Sequence, residues 1–182
     1  MYTKCMKIIV MCIAALMLLV MPQPAIAVEA TPAATQATVD YTLPYPGLLP
    51  DSPLYFVKQI RDWIMDKLVN DPVKKAEFNV LQADKRLSMG VMLIEKGNGA
   101  LAEQTISKGE KYMNSAVLGL VGVKSQGGDV PSATADLLTR SLAKHSEVLQ
   151  DEITKVQGAE KSGLSASLTL VKSLQSDLEK LK

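Results

Sequence analysis

The chain offers few side chains for catalysis, and its single histidine, His145, is the first to consider. A serine or cysteine nucleophile is usually activated by a neighbouring histidine. The only cysteines are Cys5 and Cys12, and no serine stands in a G-x-S-x-G turn. His145 instead falls on the apolar stripe of a predicted helix, at helical spacing from Leu142 and Leu149. We therefore expect a histidine at the edge of the core, satisfied by a hydrogen bond, and no nucleophilic catalysis.

Neither a transition metal nor a nucleotide cofactor is expected. Metal sites in helical bundles use several histidines or Glu-x-x-His pairs, and Leu142 occupies the glutamate position before His145. Residues 97–102 read G-x-G-x-x-A, but this pattern binds pyrophosphate only between a strand and a helix, and here it separates two helical patterns. No EF-hand spacing is present. Adjacent carboxylates such as Asp151 and Glu152 are expected to be solvated.

The best functional candidate is a group of aromatic side chains in and beside a proline-rich stretch. Aromatic side chains give large contact area at low entropic cost, so they could line a groove for a peptide, a glycan or a partner helix. The alternative is that Tyr45, Tyr55 and Phe56 fasten the proline-rich loop to the core as a lid. The candidate binding residues are Tyr41, Tyr45, Tyr55, Phe56 and Trp63.

The elements that would position these residues begin with a proline-rich loop and a short helix. Pro44 and Pro46 force an extended, turning backbone. Ser52 is the expected N-cap of the helix, and Pro53 suits its first turn. The helix is amphipathic, and its apolar face is predicted to comprise Phe56, Val57, Ile60, Trp63, Ile64 and Leu68.

A second helix is predicted to start at Asp71 and Pro72 by the same cap-and-proline logic. Its apolar seam contains unusually small residues, which let a neighbouring helix approach closely. The seam is formed by Val73, Ala76, Val80, Ala83, Leu87, Gly90 and Ile94. The charged residues expected on its solvated face are Lys74, Lys75, Glu77, Asp84, Lys85 and Arg86.

Three further helices complete the pattern. Gly97 is the expected left-handed cap of the second helix, and the third runs from about Ala100 to Val123. Pro131 and the following serine open a fourth helix, and residues 158–163 are expected to break it. The stripe of the fourth helix is Ala135, Leu138, Leu142, His145, Leu149, Ile153 and Val156. The stripe of the last helix is Leu164, Leu168, Val171, Leu174, Leu178 and Leu181.

These patterns predict an all-α fold, because no alternating strand pattern of useful length occurs. The expected architecture is an antiparallel helical bundle of about four long helices, preceded by a Pro/aromatic loop and a short amphipathic helix. The predicted bundle domain covers residues 41–182. The last two helices forming a hairpin of their own is the alternative packing.

Several strings in this region resemble a known family. They are LPYPGLLPDSPLYFVKQIRD, then DPVKKAEF, ADKRL and ALAEQTISKGEKY. They resemble a family of secreted bacterial and archaeal helical domains of unknown function, over about Tyr41 to Val117. The resemblance implies a small extracytoplasmic helical domain, often preceded by a signal peptide. It brings no catalytic residues.

Residues 1–27 are predicted to be a secretory signal peptide. Lys4 and Lys7 form a basic start, residues 8–20 are an uninterrupted apolar run, and residues 25–27 read A-x-A. That run is shorter than the roughly 20 residues of a membrane-spanning helix, although an uncleaved N-terminal anchor is the alternative. Residues 28–40, rich in alanine and threonine, are expected to be a flexible linker. We expect a secreted or extracytoplasmic protein, in the periplasm or at the cell surface, cleaved after Ala27.

Cleavage would change the composition of the chain. Both cysteines would leave, so neither disulfides nor thiol chemistry would be available. Loss of Lys4 and Lys7 would leave 18 basic residues against 19 acidic ones, a net charge of −1. A near-neutral domain has no overall electrostatic attraction to nucleic acid or to an anionic membrane. No nucleic-acid partner and no stable transmembrane segment are expected after cleavage.

Together these observations predict an exported, non-enzymatic domain that acts as a binding or scaffold module outside the cytoplasm. An unknown protein, peptide or glycan is the expected kind of partner, and no cofactor is expected. The rival hypothesis is a small-ligand or cation-binding carrier that uses the bundle core or a carboxylate cluster. An enzyme that uses Asp, Glu, Lys or Tyr as acid and base is the third.

Overall fold

The structure, a computed structural model, describes residues 38–179, in which it contains five helices and no strand. The predicted all-α class is therefore confirmed. The helices are α1 (Tyr55–Leu68), α2 (Pro72–Glu95), α3 (Gly99–Ser125), α4 (Ser132–Lys155) and α5 (Gly158–Glu179). The predicted signal peptide, most of the predicted linker and Leu181 lie outside the described residues. No helix between residues 38 and 179 combines the length and apolarity needed to cross a membrane.

The predicted ends of α2 are confirmed. The Asp71 side chain accepts a hydrogen bond from the backbone N–H of Lys74 at 2.8 Å, and Pro72 is the first helical residue. Gly97 has a φ of +77° at the other end, and its amide donates to the carbonyl of Ile94 at 2.8 Å. This left-handed conformation favours glycine because it brings a Cβ close to the backbone.

Two predicted boundaries were wrong. Helix α1 begins at Tyr55, because the Ser52 hydroxyl accepts from the amide of Leu54 at 3.4 Å in a turn before the helix and Leu54 takes the N-cap position. The break after α4 is confined to residues 156 and 157. Gly163 lies inside α5, where an added Cβ would overlap the Glu103 side chain of α3. That glycine permits close helix approach and does not end a helix.

The four long helices share one apolar core. Helix α2 packs on α3 and α4, and α5 packs on the same two helices, so the last two helices do not form a separate hairpin. The small residues predicted for the seam are used where α2 meets α3. A Cβ at Gly90 would overlap Ile106, and one at Gly109 would lie 3.0 Å from the Cβ of Arg86.

Candidate functional site

A strap, residues 38–46, precedes α1 and is fastened across two helices. The amide of Val39, a residue predicted to lie in the linker, donates to Glu147 on α4 at 2.7 Å. The Pro44 carbonyl accepts from Ser88 on α2 at 3.1 Å. Lys144 and the Val39 amide hold the pKa of Glu147 below its ordinary value. The strap is thus attached to the surface that α2 and α4 form together.

The strap is attached at a third point through Tyr41, whose hydroxyl belongs to a buried polar network. The Tyr41 hydroxyl donates to Oδ2 of Asp84 at 2.5 Å, and the Ser141 hydroxyl donates to Oδ1 of the same carboxylate at 2.6 Å. Nε2 of His145 lies 3.0 Å from that Oδ1, and Nδ1 lies 2.8 Å from Oε1 of Glu110 on α3. The network joins the strap, α2, α3 and α4 through five side chains.

His145 is fully buried between two carboxylates, and this determines its charge. Burial lowers the pKa of the imidazole, but the attraction of Glu110 and the hydrogen bonds to Asp84 and Glu110 outweigh burial and raise its pKa to about 9. The ring is therefore an imidazolium at neutral pH, with both nitrogens hydrogen-bonded. Such a ring cannot accept a proton from a nucleophile or ligate a metal. The predicted hydrogen-bonded histidine is confirmed, at the centre of the core and not at its edge.

No group of three or more His, Cys, Asp or Glu side chains between residues 38 and 179 is arranged to hold a metal ion. The G-x-G-x-x-A stretch at residues 97–102 is the turn between α2 and α3, as predicted, and it continues directly into α3. It therefore lacks the preceding strand that a pyrophosphate loop requires.

The solvated face predicted for the charged residues of α2 was wrong at two positions. Asp84 is 2% exposed and Arg86 is 4% exposed. The buried carboxylate of Asp84 is hydrogen-bonded to Tyr41, Ser141 and His145. Arg86 donates to the side chain of Gln82 at 2.7 Å and lies over the ring of Tyr112 at 4.3 Å. The donors to Asp84 and the Tyr112 ring over Arg86 belong to other elements, which a single-helix pattern does not contain, and they help these charges to be buried.

Glu152 was also predicted to be solvated, and it is 2% exposed. Its Oε1 accepts from Lys155 at 2.8 Å, and Lys155 also pairs with Asp151 at 2.7 Å. Oε2 of Glu152 is buried without a hydrogen-bond partner. Glu152 belongs to the wall of a groove of about 680 Å³ between the strap, α2 and α4. The apolar part of that wall includes Leu43, Tyr45, Val91, Met92 and Val148.

Sequence reasoning missed Asp84, Glu110 and Glu152 as members of the interior. One signal was present in the sequence. Glu110 follows Ile106 by four residues and precedes Met113 by three, so it continues an apolar stripe. A charged residue at such a position is a candidate for a buried ion pair.

The structure does not bring the five predicted binding residues together. Tyr41 and Tyr55 are half-buried, the first against Asp84 and the second with its hydroxyl 4.0 Å from Sδ of Met89. Tyr45 is 81% exposed, Phe56 57% and Trp63 64%. Tyr45 and Phe56 therefore do not fasten the proline-rich loop to the core as a lid. Phe56 and Trp63 belong instead to an open surface on α1.

That surface arises because α1 is oriented with its apolar side away from the protein. The outer face, which we define as Phe56, Val57, Ile60, Trp63, Ile64 and Leu68, consists of side chains that are 46–66% exposed. The only buried residue of α1 is Asp62. An amphipathic helix of a globular protein normally turns its apolar stripe to the core. Contiguous apolar surface of this kind marks an interaction site.

The polar side of α1 holds the helix on the protein. Lys58 donates to the carbonyl of Pro46 at 2.7 Å, and burial lowers its pKa to about 8. Asp66 pairs with Lys75 at 2.6 Å. At 3.6 residues per turn, Lys58, Asp62 and Asp66 lie roughly opposite the outer face. These polar contacts, together with the half-buried Tyr55 beside Met89, attach α1.

Residues 38–179 form an all-helical fold with a buried ionic network and an outward apolar helix. The chain belongs to the family described as Domain of unknown function (DUF5667), whose sequence profile matches residues 47–162. The match extends the predicted resemblance through α4 into the start of α5. No curated protein and no solved structure matches the chain.

Proposed function

We propose that the protein is an exported, non-enzymatic binding module that docks on a partner through the outer face of α1. One observation carries this proposal: α1 directs its apolar residues to solvent and its carboxylates to the protein. Complete burial of a large apolar side chain is favourable by roughly 1.5–3 kcal/mol, and the side chains of the outer face are 46–66% exposed, so each leaves about half of this unrealised. A partner that covers the face removes this unfavourable exposure.

The remainder of the chain supports this role as a scaffold. In the proposed arrangement α2 to α5 form an antiparallel four-helix bundle, and the predicted signal peptide directs it out of the cytoplasm. The network of Asp84, Glu110 and His145 fixes the bundle helices and the strap. Because all three side chains are at most 2% exposed, they cannot reach a substrate without unfolding. The network therefore stabilises the module and does not catalyse a reaction.

The charges of α1 indicate which kind of surface its partner would present. Asp66 is paired with Lys75 of α2 and the buried Asp62 with Arg61 of α1 itself, whereas Lys67 is exposed. Arg61 is paired with Asp62 at 2.7 Å but keeps 62% of its side chain exposed. The partner surface is accordingly apolar and carries negative charge.

A photo-crosslinking experiment in the native host tests this proposal. Benzoylphenylalanine would replace Ile60 on the outer face or, as a matched control, Leu118 on α3; the two side chains are 53% and 57% exposed. We expect a discrete adduct from position 60 and none from position 118. Equal labelling at both positions, or none at position 60, would contradict docking through α1.

The groove beside the strap favours a second candidate function, the carrier of a small organic cation. The specific observation is that Glu152, whose Oε2 is buried without a hydrogen-bond partner, lines a groove together with apolar side chains and the charged Glu147, Asp151 and Lys155. A primary alkylammonium would supply an N–H donor to the carboxylate and an alkyl chain to Val91 and Met92. Titration with hexylamine tests this function, with hexanol as the uncharged control. Binding of hexylamine alone that is lost in Glu152→Gln would support it, and equal behaviour of the two compounds would exclude it.

A further inference from the structure

The outer face of α1 has geometry that bears on the class of its partner. At about 100° per residue, its six side chains span an arc of roughly 140° along the whole helix. A helix that binds in a protein groove usually presents a narrower stripe at i, i+3, i+4 and i+7. A broad apolar arc on a convex helix is typical of helices that lie in the interface of a lipid layer.

The position of the cations separates a lipid layer from a protein groove. By helical spacing, Lys67 falls within the apolar arc near its C-terminal end, and Arg61 falls at its edge. In a dry protein groove a lysine within the arc would need a carboxylate partner. In a lipid layer its aliphatic stem can lie along the apolar region while the ammonium reaches the phosphates. Trp63, which lies one turn before Lys67 on the same side of the helix, has the ring type that prefers the membrane interface.

The same charges disfavour a second copy of the chain. A two-fold pairing of α1 with its copy would place Lys67 of both copies in one interface. The carboxylates of α1, Asp62 and Asp66, are already engaged within their own chain. Such a pairing would therefore concentrate positive charge without a partner for it.

From these observations we propose that α1 docks the protein on an anionic phospholipid surface, with the helix parallel to the membrane plane and its outer face in the interface. This inference rests on the proposed function and names the partner of the same face. The attraction is local: the predicted mature chain has a net charge of −1, whereas the exposed cation within the apolar arc of α1 is Lys67 and both carboxylates of α1 are paired within the chain. Burial of apolar side chains supplies most of the affinity, and the cations add selectivity for anionic lipid.

The single tryptophan of the chain, Trp63, reports on this docking directly. Purified mature chain would be titrated with vesicles that contain phosphatidylglycerol and with vesicles of phosphatidylcholine alone. We expect a blue shift of Trp63 emission with both and tighter binding to the anionic vesicles. Ile60→Ser should weaken binding about tenfold, since it removes apolar area from the interface. Leu118→Ser, with similar exposure on α3, should leave binding unchanged.

A charge-reversal pair tests the electrostatic part. Lys67→Glu and Lys172→Glu change the net charge equally, and both lysines are exposed, one on α1 and one on α5. Only Lys67→Glu should reduce the preference for phosphatidylglycerol. Because both sites are exposed, neither variant should alter the thermal unfolding midpoint.

The outcomes separate this inference from the proposed function. Absence of vesicle binding, together with a protein adduct from position 60 or concentration-dependent dimerisation through α1, would overturn the lipid partner and leave docking through α1 intact. Absence of vesicle binding, of adducts and of dimers would overturn both. Equal loss of binding in Ile60→Ser and Leu118→Ser would also overturn the lipid partner, because the contact would then not be specific to α1.

Discussion

His145 on α4 and Asp84 on α2 are joined by a 3.0 Å contact between Nε2 and Oδ1 inside the apolar core. The same carboxylate accepts from Tyr41 of the strap, and the opposite ring nitrogen of His145 meets Glu110 on α3. A buried carboxylate is favourable only when donors surround it, and each donor here comes from another element. The contact therefore couples the position of the strap to the packing of three helices.

Removal of Asp84 should be strongly destabilising. Asp84→Ala leaves the hydroxyls of Tyr41 and Ser141 and one nitrogen of His145 without their acceptor, so we expect a loss of about 3–5 kcal/mol in the free energy of unfolding. Urea denaturation followed by circular dichroism measures this loss. Asp136→Ala, at an exposed position on α4, should change the free energy of unfolding by less than about 1 kcal/mol. Similar losses in the two variants would contradict the role of the network.

The free energy of unfolding should decrease as the pH rises from about 6.5 towards 9. His145 has a folded-state pKa of about 9, above its ordinary value of 6.5. The protonated ring is therefore stabilised by folding, and this stabilisation is complete below about pH 6.5 and lost as the pH passes 9. The lost contribution is on the order of 3 kcal/mol.

Lys58 complicates the upper part of this range. Its folded-state pKa is lowered to about 8 from 10.5, so its deprotonation favours the folded state as the pH rises from about 8 to 10.5. The cleanest measurement is consequently the difference between the wild-type chain and His145→Gln from pH 6 to 8. A wild-type stability that does not fall relative to the variant in this range would show that His145 is neutral when buried.

Gly90 should be intolerant of a methyl group. Gly90→Ala places a Cβ into Ile106 of α3, and we expect a loss of about 1–3 kcal/mol from overpacking. Gly119→Ala is the matched control, because nothing lies within 4 Å of its added Cβ in the middle of α3. That variant should gain up to about 1 kcal/mol from helix propensity. Thermal unfolding compares them, and two stabilised variants would show that α2 and α3 are not in close contact at Gly90.

Trp63 should contribute little to folding. It is 64% exposed, so Trp63→Ala should change the free energy of unfolding by less than about 1 kcal/mol, whereas Leu87→Ala in the core should lose about 2–5 kcal/mol. The emission of Trp63 in the free mature chain should be red-shifted and readily quenched by iodide. A blue-shifted emission that iodide does not quench at low protein concentration would show that Trp63 is buried in the free chain. That result would contradict an exposed outer face on α1.

The helices, and those helix ends whose cause is local, could be predicted from the sequence alone. The Asp71 cap, the proline that follows it and the left-handed Gly97 act within one turn of chain, and each was predicted correctly. Periodicity likewise placed Leu87, Leu142 and Val171 in the core. The apolar face of α1 was also read correctly from the sequence, but not the side to which it points.

Which polar residues are buried and which apolar ones are exposed depends on contacts between elements, and it could not be predicted from one helix at a time. Asp84 and Glu152 stand beside core positions on their helices, and their burial depends on donors such as His145 and Lys155. Of these donors, His145 reaches Asp84 from a helix that lies far along the chain. Trp63 is a large apolar residue of the kind expected in a core. The contacts of Lys58 and Asp66 nevertheless orient its helix so that Trp63 faces solvent. Burial is a property of the whole set of contacts around a side chain, and a pattern along one helix contains only part of that set.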